Sequence, residues 1–166
     1  MKRLVTIFFL FFLATPVWAV GLHSATDLQQ DAREARATGR PILVLFMADS
    51  CSYCEEVRRL YVQPMSTDPA YRNRLIFRKV NIDDATPMKD FRGRRTSQSG
   101  FADAAGVSFT PTVRFYDARG GQLVPQLRGY SSPDFYLAYL QDAADASIKL
   151  WRTKDTITGQ GARASF

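Results

Sequence analysis

PILVLFMADSCSYCEEV, Pro41 to Val57, decides how this chain is read. Pro41 to Ala48 is a continuous apolar run of strand length, which suits a central strand buried on both faces. Cys51 and Cys54 follow at once, with Ser52 and Tyr53 between them, and they are the only 2 cysteines in the sequence. Ser52 to Val62 then reads as a helix that offers Val57, Leu60 and Tyr61 to a core. The cysteines therefore stand where a buried strand turns into a helix.

The segments on either side alternate in type, as expected of a sheet covered by helices. Thr26 to Gly39 reads as a helix with Thr26 or Asp27 as cap, Gly39 as stop, and Leu28, Ala32 and Ala35 on a narrow apolar face. Leu75 to Asp83 is the next strand, and Asp84 to Gly100 is polar and reads mostly as loop. Phe101 to Val107 reads as a short helix ended by Gly106. Thr112 to Tyr116 and Gln122 to Arg128 read as two strands joined through the turn DARGG. Ser132 to Trp151 is a long amphipathic helix, with Ser132 as cap and Phe135, Leu137, Leu140, Ala144 and Ile148 as its inner face. Residues 152–166 are polar and poorly periodic, and are expected to form a flexible tail.

The N-terminus points to export. Lys2 and Arg3 precede the apolar run Leu4 to Leu13, then Pro16, then small residues Val17 and Ala19 at the positions of a cleavage site. This is the layout of a secretory signal peptide over residues 1–19, too short in its apolar core for the roughly 20 residues that span a bilayer. Residues 20–151 are then one domain in a periplasmic protein, a setting where disulfides form and persist. The chain carries 22 basic and 16 acidic side chains, a formal charge of +6 that becomes +4 without Lys2 and Arg3. Its basic residues are spread along the chain apart from FRGRR, Phe91 to Arg95, which reads as a solvated loop. No basic stripe interleaved with aromatics argues for nucleic acid as a partner.

Three chemistries compete for the cysteine pair. A structural zinc needs about four Cys or His ligands, and the chain offers two cysteines and a lone His23 that reads as surface or disordered. A structural staple gains little from closing a loop this short. Redox exchange fits better. A helix N-terminus presents unpaired N–H groups and the positive end of the dipole, which favour a thiolate. Cys51 at the turn becomes the attacker, and Cys54 one turn on resolves the mixed disulfide. FTPT, Phe109 to Thr112, adds Thr110–Pro111 before a strand. A cis peptide costs least at an X–Pro bond and would present the Thr110 backbone to an extended substrate, though a trans proline starting a strand fits the dipeptide as well.

At this point the chain resembles the thioredoxin superfamily. The matching pieces are a helix followed by GRPILVLFMADSCSYC, the strand VNID, then GVSFTPTVRFYDARGG and a terminal helix, in the family's order from about Ala25 to Trp151. Within the family it is most similar to exported bacterial thioredoxin-like proteins, including those of sulfur-oxidation clusters and the C-terminal domain of the transmembrane reductant conductor. The resemblance implies an α/β fold with a mixed four- to five-stranded sheet and helices on both faces. It favours the cis form of Thr110–Pro111. It carries Cys51 over as nucleophile and Cys54 as resolving cysteine of a redox-active disulfide, and makes Tyr53, Thr110 and Pro111 the candidate substrate-binding residues.

The expected activity is thiol–disulfide exchange, in the reducing direction, on the thiols or disulfides of other proteins. It implies no metal or organic cofactor, a membrane-bound electron donor and a monomer. The alternative is a non-catalytic binding or chaperone module on the same fold, with the cysteines as a redox switch. Three departures from the family stand out. Ser52–Tyr53 replaces Gly-Pro, Ser50 replaces a tryptophan, and Leu45 falls where thioredoxin keeps a buried aspartate that helps deprotonate the resolving thiol. Asp49, Glu55 and Glu56 are the candidates for that proton-transfer role, and their charge opposes the helix effect on Cys51.

Overall fold

A computed structural model describes residues 22–131 and 133–163. The expected signal peptide and the proposed cap Ser132 lie outside the described residues, as do residues 164–166. The order of elements is β1 (His23–Ser24), α1 (Leu28–Thr38), β2 (Ile42–Met47), α2 (Ser52–Val57), a π-turn over Arg58–Val62, α3 (Gln63–Thr67), α4 (Pro69–Arg72), β3 (Ile76–Asn81), β4 (Pro87–Lys89), β5 (Arg95–Ser97), α5 (Gln98–Ala104), β6 (Thr112–Tyr116), β7 (Leu127–Arg128) and α6 (Pro133–Arg163).

The main sheet has five strands in the order β1-β3-β2-β6-β7. β2 pairs in parallel with β3 and antiparallel with β6, so the sheet is mixed, as the resemblance implied. Every residue of β2 is buried. Its side chains divide by the two-residue period of a strand. Leu43, Leu45 and Met47 join the core beneath α2 and α6, and Ile42, Val44 and Phe46 join the core beneath α1 and α5. Asp27 caps α1 by accepting the Gln30 N–H at 2.8 Å, and Gly39 ends it.

α2, the π-turn and α3 form one continuous helical stretch. Its irregularity has a local cause. Pro64 lacks an N–H, and a proline ring clashes with the carbonyl four residues back. The ladder loosens just before it, and the Gln63 N–H reaches the Arg58 carbonyl, five residues back. The stretch buries Val57 and Val62 and half-buries Tyr61, while Leu60 is exposed against expectation.

Other expectations differ from the structure. The segment read as loop contains the antiparallel hairpin β4–β5, and α5 starts at Gln98 rather than Phe101, with Ser97 Oγ accepting the Gly100 N–H as its cap. Asp90 makes the hairpin turn by accepting the N–H groups of Arg92 and Arg94, and Gly93 supplies the positive φ of 78° that the turn requires. β7 is limited to Leu127–Arg128, because Pro125 cannot donate to the ladder; upstream, Gln122 makes only an isolated bridge to Tyr116. In α6, Leu140, Ala144 and Ile148 are buried as expected, but Phe135 and Leu137 face out and Tyr136 faces in. The helix also runs past Trp151 to Arg163, so residues 152–163 of the expected tail have a helical backbone. His23 is exposed, but it lies in strand β1 beside Arg78.

Candidate active site

β2 ends at Met47, and the turn after it carries Ser50 in the left-handed region at φ 54°, a conformation that costs a non-glycine residue free energy. Cys51 comes next and is the N-cap of α2. Its Sγ accepts the Cys54 backbone N–H at 3.2 Å, which satisfies one of the donors that a helix start leaves unpaired. The two cysteines are joined as a disulfide. Cys51 is partly exposed and Cys54 is fully buried, so only one sulfur of the bond can be approached from solvent.

Thr110 and Pro111 stand against the same bond. The Thr110–Pro111 peptide is cis, and the Thr110 hydroxyl lies 3.8 Å from Cys51 Sγ. The residues named from the sequence are thus brought together, although they lie about sixty positions apart.

The disulfide separates two depressions. One is a polar cleft of about 530 Å³, which Asp49, Ser50, Glu55, Lys79, Asn81 and Gln98 help to line. The other is a groove of about 350 Å³ whose walls include Tyr53, Phe109, Thr110, Arg128 and Tyr130. Tyr53 is 60% exposed, and its ring lies 6.0 Å from that of Tyr130. Arg128 lies over the Phe109 ring at 4.9 Å, a cation–π contact across the groove. Phe109, Arg128 and Tyr130 were not singled out from the sequence. The available signal was the adjacency of Phe109 to Thr110. The loop carrying Arg128 and Tyr130 is recruited by a backbone bond from Gly129 to the Pro111 carbonyl, 2.8 Å long. Gly129 has φ 82°, and a Cβ there would come within 3.2 Å of the Phe109 ring.

Below the groove, the Tyr130 and Tyr61 hydroxyls share a hydrogen bond of 2.9 Å. That bond, with some burial, pushes the Tyr130 phenol up to about 12. The acids considered for proton transfer are differently held. Glu55 accepts from Arg58 at 2.9 Å, and this bond, with Lys79 adding its charge, holds its carboxyl below the usual range. Asp49 accepts from Asn81 at 2.6 Å. Asp49 and Glu55 line the polar cleft. Leu45 is fully buried in the same core cluster as Cys54.

A family model described as a thioredoxin-like domain matches residues 28–144. The thiol:disulfide interchange protein DsbD of Ralstonia nicotianae is 29% identical over 122 residues, which is 74% of this chain but 18% of that protein. The chain therefore spans under a fifth of that relative's length. Among solved structures, the thioredoxin of Malassezia sympodialis superposes with a TM-score of 0.53 at 19% identity, covering 81% of this chain and 99% of that one. Oxidised mitochondrial thioredoxin 3 of Saccharomyces cerevisiae gives 0.51 at 16% identity, covering 75% and 93%. These two likenesses concern the fold. Together with the Cys51–Cys54 bond, the family and the Ralstonia relative support thiol–disulfide oxidoreduction.

Proposed function

The chain belongs to the thioredoxin-like domain family, and from that premise we propose that it is a periplasmic thiol–disulfide oxidoreductase working in the reducing direction. The observation that carries the reading is the asymmetry of the bond, with Cys51 open to solvent and Cys54 buried behind it.

In the reduced protein, the Cys51 thiolate attacks one sulfur of a substrate disulfide. A mixed disulfide forms, and the substrate's other sulfur leaves as a thiolate that takes up a proton. The N–H of Cys54 and the start of α2 favour negative charge on Cys51 before attack. Cys54 then gives up its proton and attacks Cys51 Sγ. The second substrate thiol is released, two electrons have passed to the substrate, and the Cys51–Cys54 disulfide remains. A dithiol donor at the membrane returns the pair to its reduced form.

The aromatic groove holds an extended stretch of substrate protein beside Cys51, with Tyr53, Thr110 and Pro111 as its contacts. The name of the Ralstonia relative supports exchange chemistry. The absence of a histidine between the cysteines supports the reducing direction, and residues 1–19 support export. Both cysteines and the groove beside them lie on one chain, which supports a monomer as the working unit.

The deciding measurement is the equilibrium of the Cys51–Cys54 pair with a glutathione or dithiothreitol buffer. A potential near about −270 mV fits a reductant, whereas one near about −120 mV would make the protein a disulfide donor. Turnover in a protein-disulfide reduction assay should vanish in Cys51→Ser. Full turnover in that variant would end the mechanism, and Cys54→Ser should accumulate the mixed disulfide.

A further inference from the structure

A third concavity lies away from the disulfide. It is a cleft of about 580 Å³ bounded by the β4–β5 hairpin, α5 and the turn after β6. Tyr116, in its lining, pairs with Ile42 at the start of β2, whereas the cysteines follow the end of that strand. From Thr112 to Tyr116 the ladder extends roughly 13 Å, so the cleft stands apart from the disulfide.

The base of the cleft is aromatic. The Phe91 ring lies 5.1 Å from that of Tyr116 and 6.0 Å from that of Phe101. The rim is basic, with Arg92, Arg95 and Arg119 all exposed and lining it. Among the described residues no hydrogen bond or ion pair engages these three guanidinium groups. The other two arginines of the lining are committed. Arg94 is paired with Asp90 at 2.7 Å, and Arg114 donates to Gln126 Oε1 and to the Ala105 carbonyl, each at 2.6 Å. Among the described residues Asp90 is the only acid in the lining, and it is spent on Arg94 and two backbone N–H groups.

One further group is out of balance. Tyr116 is 4% exposed, and its hydroxyl has no hydrogen-bond partner among the described residues. The Arg114 guanidinium lies near enough to the oxygen to act as a weak donor and pull the phenol down, but it is committed to Gln126 and the Ala105 carbonyl and does not reach full bonding geometry. Buried polar groups are nearly always paired, so an unpaired one in the wall of a cleft points to something that completes it. Burial raises the pKa of this phenol, which keeps it a neutral donor.

We propose that this cleft binds a small organic phosphate carried on a flat ring, with the free guanidinium groups on the phosphate and the ring against the aromatic base. The volume lies in the range of small-ligand sites. The guanidinium fork matches the oxygens of a phosphate, and Tyr116 adds a donor whose pairing is supplied by the ligand. FRGRR, which the thiol chemistry leaves unused, then has a role as one wall of a binding site.

Phenyl phosphate titrated into the full chain, followed by calorimetry at low salt, tests this. Saturable one-to-one binding is expected, with inorganic phosphate at least about tenfold weaker because it lacks the ring. Arg119→Gln, an exposed change that leaves the core intact, should weaken binding about tenfold. Tyr116→Phe should weaken it about threefold or more with disulfide turnover unchanged. Absence of saturable binding would overturn the proposal, as would equal affinity in Arg119→Gln. Inorganic phosphate binding as tightly as phenyl phosphate would reduce the cleft to a general anion surface. Arginine-dependent co-sedimentation with phosphatidylglycerol vesicles, without phenyl phosphate binding, would assign the arginines to a membrane headgroup instead.

Discussion

Leu45 lies directly across the β2–β3 ladder from Lys79. Leu45 is fully buried, and Lys79 lines the cleft beside Cys51. The position that holds an acid in thioredoxin thus holds a hydrocarbon here, and the cation opposite it turns to the cleft and to Glu55. Leu45→Asp restores a carboxylate next to that cation. It should cost about 2–4 kcal/mol of stability in urea denaturation, since a charge replaces a packed Leu. It should also speed release of the mixed disulfide by about tenfold near neutral pH, below the roughly hundredfold or more that a well-placed base contributes, because the site was not shaped for it. Single-turnover kinetics against pH measure this, and an unchanged rate would mean that the proton of Cys54 leaves by a route independent of Leu45.

Glu55 lies in the first turn of α2 and is held ionised by Arg58. Its negative charge opposes formation of a thiolate on Cys51. Glu55→Gln should therefore raise the rate of alkylation of reduced Cys51 at pH 7 by about two- to threefold, an effect of the size of an exposed charge interaction. The gain should fade at high salt. A decrease would mark Glu55 as a proton acceptor that aids the thiolate.

Asp31 on α1, which is buried, and Arg78 on β3, which is partly exposed, form a two-point ion pair, with contacts of 2.9 and 2.6 Å. Burial raises the Asp31 carboxyl despite the pull of Arg78. Arg78→Met should cost about 3 kcal/mol at pH 7, because it leaves that carboxylate unpaired, whereas Asp31→Leu with Arg78→Met should stay within about 1 kcal/mol of the parent. The pH dependence has a definite sign. With the folded pKa raised above the unfolded one, protonation favours the folded state. The Arg78→Met deficit should then be smallest below about pH 3.9 and grow as pH rises through the folded pKa. Urea midpoints across that window measure it.

Tyr53 covers one wall of the groove and is mostly exposed. Tyr53→Ala should raise KM for a protein disulfide by about three- to tenfold, the loss of one aromatic contact. Reduction of a small aromatic disulfide reagent, which needs only Cys51, should change less than about twofold. An equal loss on both substrates would place Tyr53 in support of Cys51 rather than in substrate contact.

The parts of the molecule readable from the sequence are those with strong local signals. β2 is apolar throughout because both its faces are covered, and Cys51 and Cys54 are set by spacing on the helix that follows. The cis state of Thr110–Pro111 was legible only through family resemblance, since the dipeptide suits either isomer. The β4–β5 hairpin was hidden because each strand has three residues, too few to show alternation. It is held from outside itself, by Lys89 paired with Asp27 at 2.9 Å and by the Lys89 N–H on the Thr26 carbonyl. The inner face of α6 was misread because it has two aromatic stripes. Phe135 and Tyr139 form one, with rings 6.4 Å apart, but it is the stripe through Tyr136 and Leu140 that meets the core. The groove beside Cys51 was out of reach because its walls come from segments far apart in sequence, brought together by the short β6–β7 ladder and the backbone bond at Gly129.

The outermost strands of the main sheet, β1 and β7, are two residues long. A strand that short offers almost no row of open N–H and C=O groups on which another extended chain could build. Brevity at both borders denies a passing extended chain a template, so the sheet ends where it ends.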